Sequence, residues 1–202
     1  ATANAKQYVW TSTTGLSTLQ SGSINVTTYG DIIGHYKTQY YLTVFSPYDS
    51  PTPASGWFDA GSSVTASVTS PTPGPSGTQY VCTGWTGSGS APPSGTGTTT
   101  TFTINAPSGI TWNWKTQYFL TLATNPPGVT SPLGGGWYYT GDSATISTTA
   151  FVDIVPGSSR YRFNGWTTGN MSEIADPSRS PTTVVMDEAK TVAANYVVQY
   201  RI

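Results

Sequence analysis

"ITWNWKTQYFLTL", residues 110–122, runs for 13 residues without a glycine or proline, in a chain of 202 residues that holds 22 Gly and 15 Pro. Ile110, Trp112, Trp114 and Thr116 alternate with Thr111, Asn113, Lys115 and Gln117, the period-2 pattern of a half-buried β-strand. The alternation lapses at Tyr118-Phe119-Leu120, where three large apolar residues follow one another. One long strand among short segments marks a junction, and the flanking sequence identifies what it joins.

"KTQYYLTV" at 37–44 returns as "KTQYFLTL" at 115–122, an offset of 78. "SGWFDAGSSVTASV" (55–68) returns as "GGWYYTGDSATIST" (135–148), and "QYVCTGWTGSG" (79–89) as "RYRFNGWTTGN" (160–170). "TTTTFTINAPSGITWNW" (98–114) matches "SPTTVVMDEAKTVAANY" (180–196), the offset having drifted to 82. The sequence therefore predicts two tandem modules, 37–114 and 115–196. Residues 1–36 align with the second half of a module whose first half is missing. "VVQYRI" at 197–202 aligns with "KTQYYL" and "KTQYFL", the first strand of a next repeat. The opening stretch is thus the last strand of one copy running into the first strand of the next, and its lapse at Tyr118 predicts a change from one module's core to the other's.

Only 17 of 202 residues are charged, and polarity comes instead from Thr and Ser. Thr, Val, Tyr and Trp favour pleated surfaces, while Gly and Pro favour the turns between them. The expected fold is all-β: small tandem β-sandwich modules joined by long continuous strands, with a partial repeat at the N-terminus. In copy two the strands are expected at 115–123, 136–139, 143–151, 159–166, 181–187 and 190–196. Trp57, Trp85, Trp137 and Trp166 are expected to anchor the module cores. A net charge of −1 without a basic stripe excludes a nucleic-acid partner. No apolar run approaches 18 residues, so membrane insertion by a helix is not expected. The start "ATANAKQ" has the small-residue character left by signal cleavage, which points to secretion or the cell surface.

The residues that could carry chemistry are few. Cys82 is the only cysteine and reads as a small core residue. His35 is the only histidine, without partners for a metal site. Asp59 in "WFDAGSS" corresponds to Tyr139, so no paired carboxylate supports hydrolysis, and both Asp59 and Asp142 read as turn residues. Glu173 and Asp176, with Asp187 and Glu188, are too few to provide the six to eight oxygens of a calcium site. Tyr48, Tyr138, Tyr139, Trp112 and Trp114 are candidates for stacking on sugar rings, but the recurrence of Trp and Tyr at equivalent positions of the repeat favours core or intermodule packing over a sugar platform. An isopeptide bond would draw on Lys37 or Lys115 with Asn113 or Asn195, but no buried acid accompanies them. Asn25-Val26-Thr27 and Asn170-Met171-Ser172 are N-glycosylation sequons that act only in an exported protein. No catalytic residue, metal or cofactor is expected.

The pattern Y-x-L-T … G-W-[FY]-x-x-G … [YF]-x-G-W … V-x-A-N-Y resembles the divergent internalin B-repeat family. Copy two carries it at Tyr118, Leu120, Trp137, Tyr138, Gly141, Phe163, Gly165, Trp166, Val192, Ala194, Asn195 and Tyr196. Copy one carries Tyr40, Leu42, Trp57, Phe58, Gly61, Gly84, Trp85, Ile110 and Asn113, departing at Cys82, Trp112 and Trp114. The resemblance implies β-rich modules of secreted or surface-attached proteins serving as stalks, spacers or adhesive segments, with no catalytic residues to carry over. In composition and repeat organisation the chain is also similar to archaeal surface filaments assembled by strand exchange. Together these point to a non-enzymatic subunit of a surface filament, joined head to tail by the assembly strand Val197, Val198, Gln199, Tyr200, Arg201 and Ile202. Its partners would be copies of itself. The alternatives are a stalk segment of a larger adhesin and a carbohydrate-binding module with surface glycans as ligand.

Overall fold

The computed structural model describes residues 5–200, and over them the chain is all-β apart from one 3-10 turn, Met171–Glu173. In chain order the strands are β1 (Lys6–Gly15), β2 (Ile32–Phe45), β3 (Gly56–Asp59), β4 (Ser63–Ser67), β5 (Thr72–Pro73), β6 (Thr78–Ser88), β7 (Ser94–Gly95) and β8 (Thr99–Thr103). They continue with β9 (Ser108–Asn125), β10 (Gly136–Tyr139), β11 (Ser143–Ile146), β12 (Phe151–Val155), β13 (Ser159–Thr167), β14 (Thr182–Val185) and β15 (Lys190–Tyr200). The chain divides into two compact units. The first extends to Ser70 and takes in Cys82–Trp114; the second takes Pro71–Val81 and the chain from Lys115 onward. Pro71–Val81 joins the second unit because Phe119 N–H donates to the Gly77 carbonyl and the Gln79 amide to Gln117.

In the first unit, β2 carries β3 on one edge of Gln39–Leu42 and pairs in parallel with the start of β9, from Leu42↔Ser108 to Phe45↔Thr111. A second layer, β4 paired with β8, covers them. Leu42, Val64, Ala66, Ile104, Ile110 and Trp112 are buried between the layers, with Cys82 and Trp85 closing the cluster. The second unit repeats the arrangement. There β9 carries β10 and pairs in parallel with β15, from Leu120↔Lys190 to Asn125↔Asn195, under a β11–β14 layer. Leu120, Ile146, Trp166, Val184, Met186 and Val192 form its core. Each such side chain contributes about 1.5–3 kcal/mol when fully buried. In both units the third residue of the turn before the second layer is glycine: Gly61 (φ +81°) and Gly141 (φ +86°) take the left-handed conformation that closes Asp59–Ser62 and Tyr139–Asp142.

Two sequence expectations are corrected. The expected strand 143–151 is two strands, because β11 belongs to the second layer while β12 pairs with β13. The corner between them is held by Ser180, whose hydroxyl accepts from Thr148 N–H and donates to the Thr148 carbonyl. The expected passage from one module's core to the other's falls between Trp114 and Tyr118, and it takes place without a change of face. Even-numbered residues of β9 point inward throughout, Trp114 onto the first cluster and Tyr118 onto the second, and Phe119 is simply an outward-facing aromatic. Trp57 and Trp137 are not core residues, being 36% and 40% exposed. Their strand neighbours Phe58 and Tyr138 take the inward positions. Trp85 and Trp166 are buried.

Candidate functional site

The positions where the repeat is interrupted are sheet edges. On β15, Tyr196 to Tyr200 are hydrogen-bonded along one edge to β13, in the register Phe163↔Tyr196 to Ser159↔Tyr200. Val197–Tyr200 are therefore not an unpaired strand, as the sequence led one to expect; they are the outer half of a β13–β15 ribbon with one edge left over. At the equivalent positions β2 carries β3 and β9 carries β10. Among the described residues no strand takes that place on β15. Arg201 and Ile202, the rest of the expected assembly strand, lie outside the described residues. Gln199 is held by the Arg160 guanidinium (2.9 Å), which also lies over the Phe151 ring at 3.8 Å.

A second incompletely flanked strand is β2. Residues Ile32–Lys37 of β2 pair with β1 alone, whereas the equivalent starts of β9 and β15 are each flanked by a parallel strand as well. The rim is tied down locally: His35 Nε2 lies 2.9 Å from Thr14 Oγ1, and the hydrogen bond with Tyr8 raises the Lys6 ammonium above its ordinary value. His35 is thus a strand residue with a hydroxyl partner.

The other candidates disperse. Lys37 and Gln39 both bond Asp59, and these hydrogen bonds, Gln39's first, hold its carboxyl below the usual aspartate value. Lys115 lies over the Tyr139 ring, and the Asn195 amide donates to the Gly165 carbonyl and Thr167. Glu173 and Asp187 are brought together, but around the buried ammonium of Lys190. Asp176 accepts from Ser178 N–H and Oγ–H, which lower its carboxyl. Among the described residues no group of three or more His, Cys, Asp or Glu is placed to hold a metal. Burial pushes the Cys82 thiol up, away from the reactive thiolate. Asn25 and Asn170 are both exposed, and Asn170 accepts from Ser172 Oγ of its own sequon.

Of the residues read as sugar platforms, Trp112 is fully buried and Trp114 is half-buried with its indole N–H on Ser46. Tyr138 donates to the Gly134 carbonyl, and Tyr48 stacks edge-on against Trp114. The sequence reading missed a different pair of aromatic sites. Tyr41 meets Trp57 edge to face at 5.2 Å, and Phe119 meets Trp137 at 5.1 Å, on the outward face of each unit. Period-2 parity from Leu42 and Leu120 would have found them, since their neighbours Tyr41 and Phe119 must then face out. Comparison with known protein families, with characterised proteins and with solved structures finds no significant match to the chain.

Proposed function

We propose that the chain is a non-enzymatic structural protein that self-associates by β-strand addition into a filament of the cell exterior. The observation that carries this reading is the composition of the open β15 edge. Natural sheet edges are protected by Lys, Pro or bulges. At the first two positions of the repeat the complete modules carry Lys37-Thr38 and Lys115-Thr116; the open copy carries Val197-Val198. The charge has been removed where a solitary protein needs it most, which suits an edge meant for another strand. An edge of β15 paired with the unflanked part of β2 of another copy would be a heterologous contact, and such contacts propagate. Secretion, surface display and glycans at Asn25 and Asn170 belong to the same proposal, in keeping with the resemblance to surface β-repeats.

Electron microscopy and sedimentation of the full chain test it. Filaments are expected, and the double substitution Val197→Lys, Val198→Thr, which restores the module sequence, is expected to suppress them without altering the fold. A wild-type chain that stays monomeric at high concentration refutes the proposal.

The outward pairs Tyr41–Trp57 and Phe119–Trp137 favour a second reading, glycan binding by stacking. It predicts retention on an insoluble polysaccharide that is lost when both Trp57 and Trp137 become Ala. The same pairs lie directly opposite each other in register, so cross-strand packing already accounts for their recurrence.

A further inference from the structure

The two outward aromatic pairs stand beside different polar groups. In the first unit Lys37, Gln39 and Tyr41 alternate along β2 with the inward Tyr40 and Leu42, and Trp57 and Asp59 share one face of β3. The registers Gln39↔Asp59 and Tyr41↔Trp57 set a polar pair next to the aromatic one, and Gln7↔Gln39 extends the polar row onto β1. These side chains are bonded in series. Gln7 Nε2 donates to Gln39 Oε1 (2.7 Å), Gln39 Nε2 to Asp59 Oδ1 (2.7 Å), and Lys37 Nζ to Asp59 Oδ2 (2.9 Å). The second unit keeps the glutamine pair, Gln79 Nε2 donating to Gln117 Oε1, but has Tyr139 in the place of Asp59, with the Lys115 ammonium over its ring.

The Asp59 carboxylate has no part in the turn that follows it. That turn is closed by the main chain, the Ser62 N–H and Oγ–H both donating to the Asp59 carbonyl. The corresponding turn of the second unit does use a carboxylate, Asp142 accepting from Tyr139 N–H. As an ion pair, Lys37–Asp59 adds little to stability, since the two side chains are 43% and 48% exposed. What the network does is fix the direction of a charged acceptor. An ionised carboxylate offers about four acceptor positions, and those that Gln39 and Lys37 leave unused face solvent on the same side of the sheet as Trp57. The hydrogen bonds from Gln39 and Lys37 also keep the group ionised at neutral pH.

We infer, on the glycan-binding reading of the outward pairs, that Trp57, Asp59 and Gln39 form a subsite for a neutral pyranose, and that the first unit alone carries it. A pyranose has an apolar C–H face and a rim of hydroxyls. Trp57 leaves 36% of its surface in solvent to meet the first. Asp59 lies two residues further along the same strand face, about 7 Å away, which is the reach from the centre of a stacked ring through one hydroxyl to an acceptor. Lys37 and Gln39 hold the carboxylate in place while it accepts from the sugar. The charges of Lys37 and Asp59 cancel, and the outward carboxylate repels uronate or sulfate groups, so the glycan is an uncharged one. At Phe119–Trp137 the equivalent position holds Tyr139, which presents no carboxylate, and that pair remains a packing contact.

The test incubates the full chain with microcrystalline cellulose, chitin and insoluble mannan, and with heparin resin as the acidic counterpart, reading binding from depletion isotherms. Retention on at least one neutral polysaccharide is expected. Asp59→Asn and Trp57→Ala should each raise the apparent Kd about tenfold or more. Trp137→Ala, which removes the same cross-strand contact from the other unit, should leave it unchanged. Asp59→Asn should also keep the wild-type melting temperature, because its side chain is exposed. Wild-type binding by Asp59→Asn or Trp57→Ala, a loss in Trp137→Ala as large as in Trp57→Ala, or retention on heparin alone overturns this inference and leaves the glycan reading standing. A wild-type chain retained by none of the four materials overturns both.

Discussion

Lys190 is the buried charge on which the second unit depends, and its removal should be felt there alone. Its side chain is 2% exposed and its ammonium contacts Glu173, 14% exposed, and Asp187, which is mostly in solvent. Burial lowers the Lys190 pKa, but the hydrogen bonds and charges of Asp187 and Glu173 outweigh it, so the group is held above its ordinary value and stays protonated. Substituting Lys190→Met keeps the aliphatic stem and deletes the charge, leaving the nearly buried Glu173 carboxyl without its cation. Breaking a buried pair in this way costs about 3–5 kcal/mol. Adding Glu173→Leu to Lys190→Met removes the stranded charge, and most of the loss should return, since a buried ion pair gains little over apolar residues of similar volume. The equivalent residue of the first unit is Ser108, which holds Ser90 N–H and the Ala106 carbonyl without any charge. Denaturant unfolding followed by tryptophan fluorescence should therefore show the midpoint of one transition falling in Lys190→Met while the other is unmoved, with slopes preserved. A loss below about 1 kcal/mol, or a double variant no better than the single, refutes the claim that a desolvated carboxylate is what Lys190 neutralises.

Acid should act late. Asp59, Asp176 and Asp187 are all held below the ordinary aspartate value of 3.8 by hydrogen bonds, from Gln39, Ser178 and Lys190 respectively. A depressed carboxyl contributes stability above its unfolded value and loses it as pH falls through the folded one, so stability should be flat from about pH 7 to pH 5 and decline only below about pH 4; a melting temperature that drops steeply above pH 5 contradicts this. Trp166→Ala should cost about 3–5 kcal/mol as a core cavity, whereas Trp137→Ala should cost about 0.5–1.5 kcal/mol, the worth of its edge-to-face pair with Phe119; equal losses by denaturant titration would restore Trp137 to the core. Cys82, buried with its thiol pKa raised by desolvation, should react with a maleimide only after denaturant is added, as read by intact mass, and rapid labelling of the native chain would show the first unit to be open there.

Much of this architecture could be read because the repeat supplies its own control. The offsets of 78 and 82 located both modules, and the alternation of 110–117 gave the long strand its inward residues. What could not be read was parity in strands as short as Gly56–Asp59 and Gly136–Tyr139, where adjacent positions are both aromatic and either could face the core. Tryptophan was favoured for its area, but tertiary register placed Phe58 and Tyr138 inward. Trp112 was legible, since Ile110 fixes its side and its place in the repeat favoured core packing over a sugar platform. Lys190 gave no signal: charged residues are seldom fully buried, and its partner Glu173 sits in an insertion with no counterpart in the first copy.

The three equivalent strands also separate what sequence does from what packing does. Ile32–Tyr36, Ile110–Trp114 and Val192–Tyr196 share pattern and antiparallel partner, and the last two are buried only because a second layer lies over them. Burial is therefore a property of the cover. Ile32 and Tyr36, at the inward positions equivalent to Ile110 and Trp114, keep the strand and the antiparallel partner without that cover and are 50% and 63% exposed.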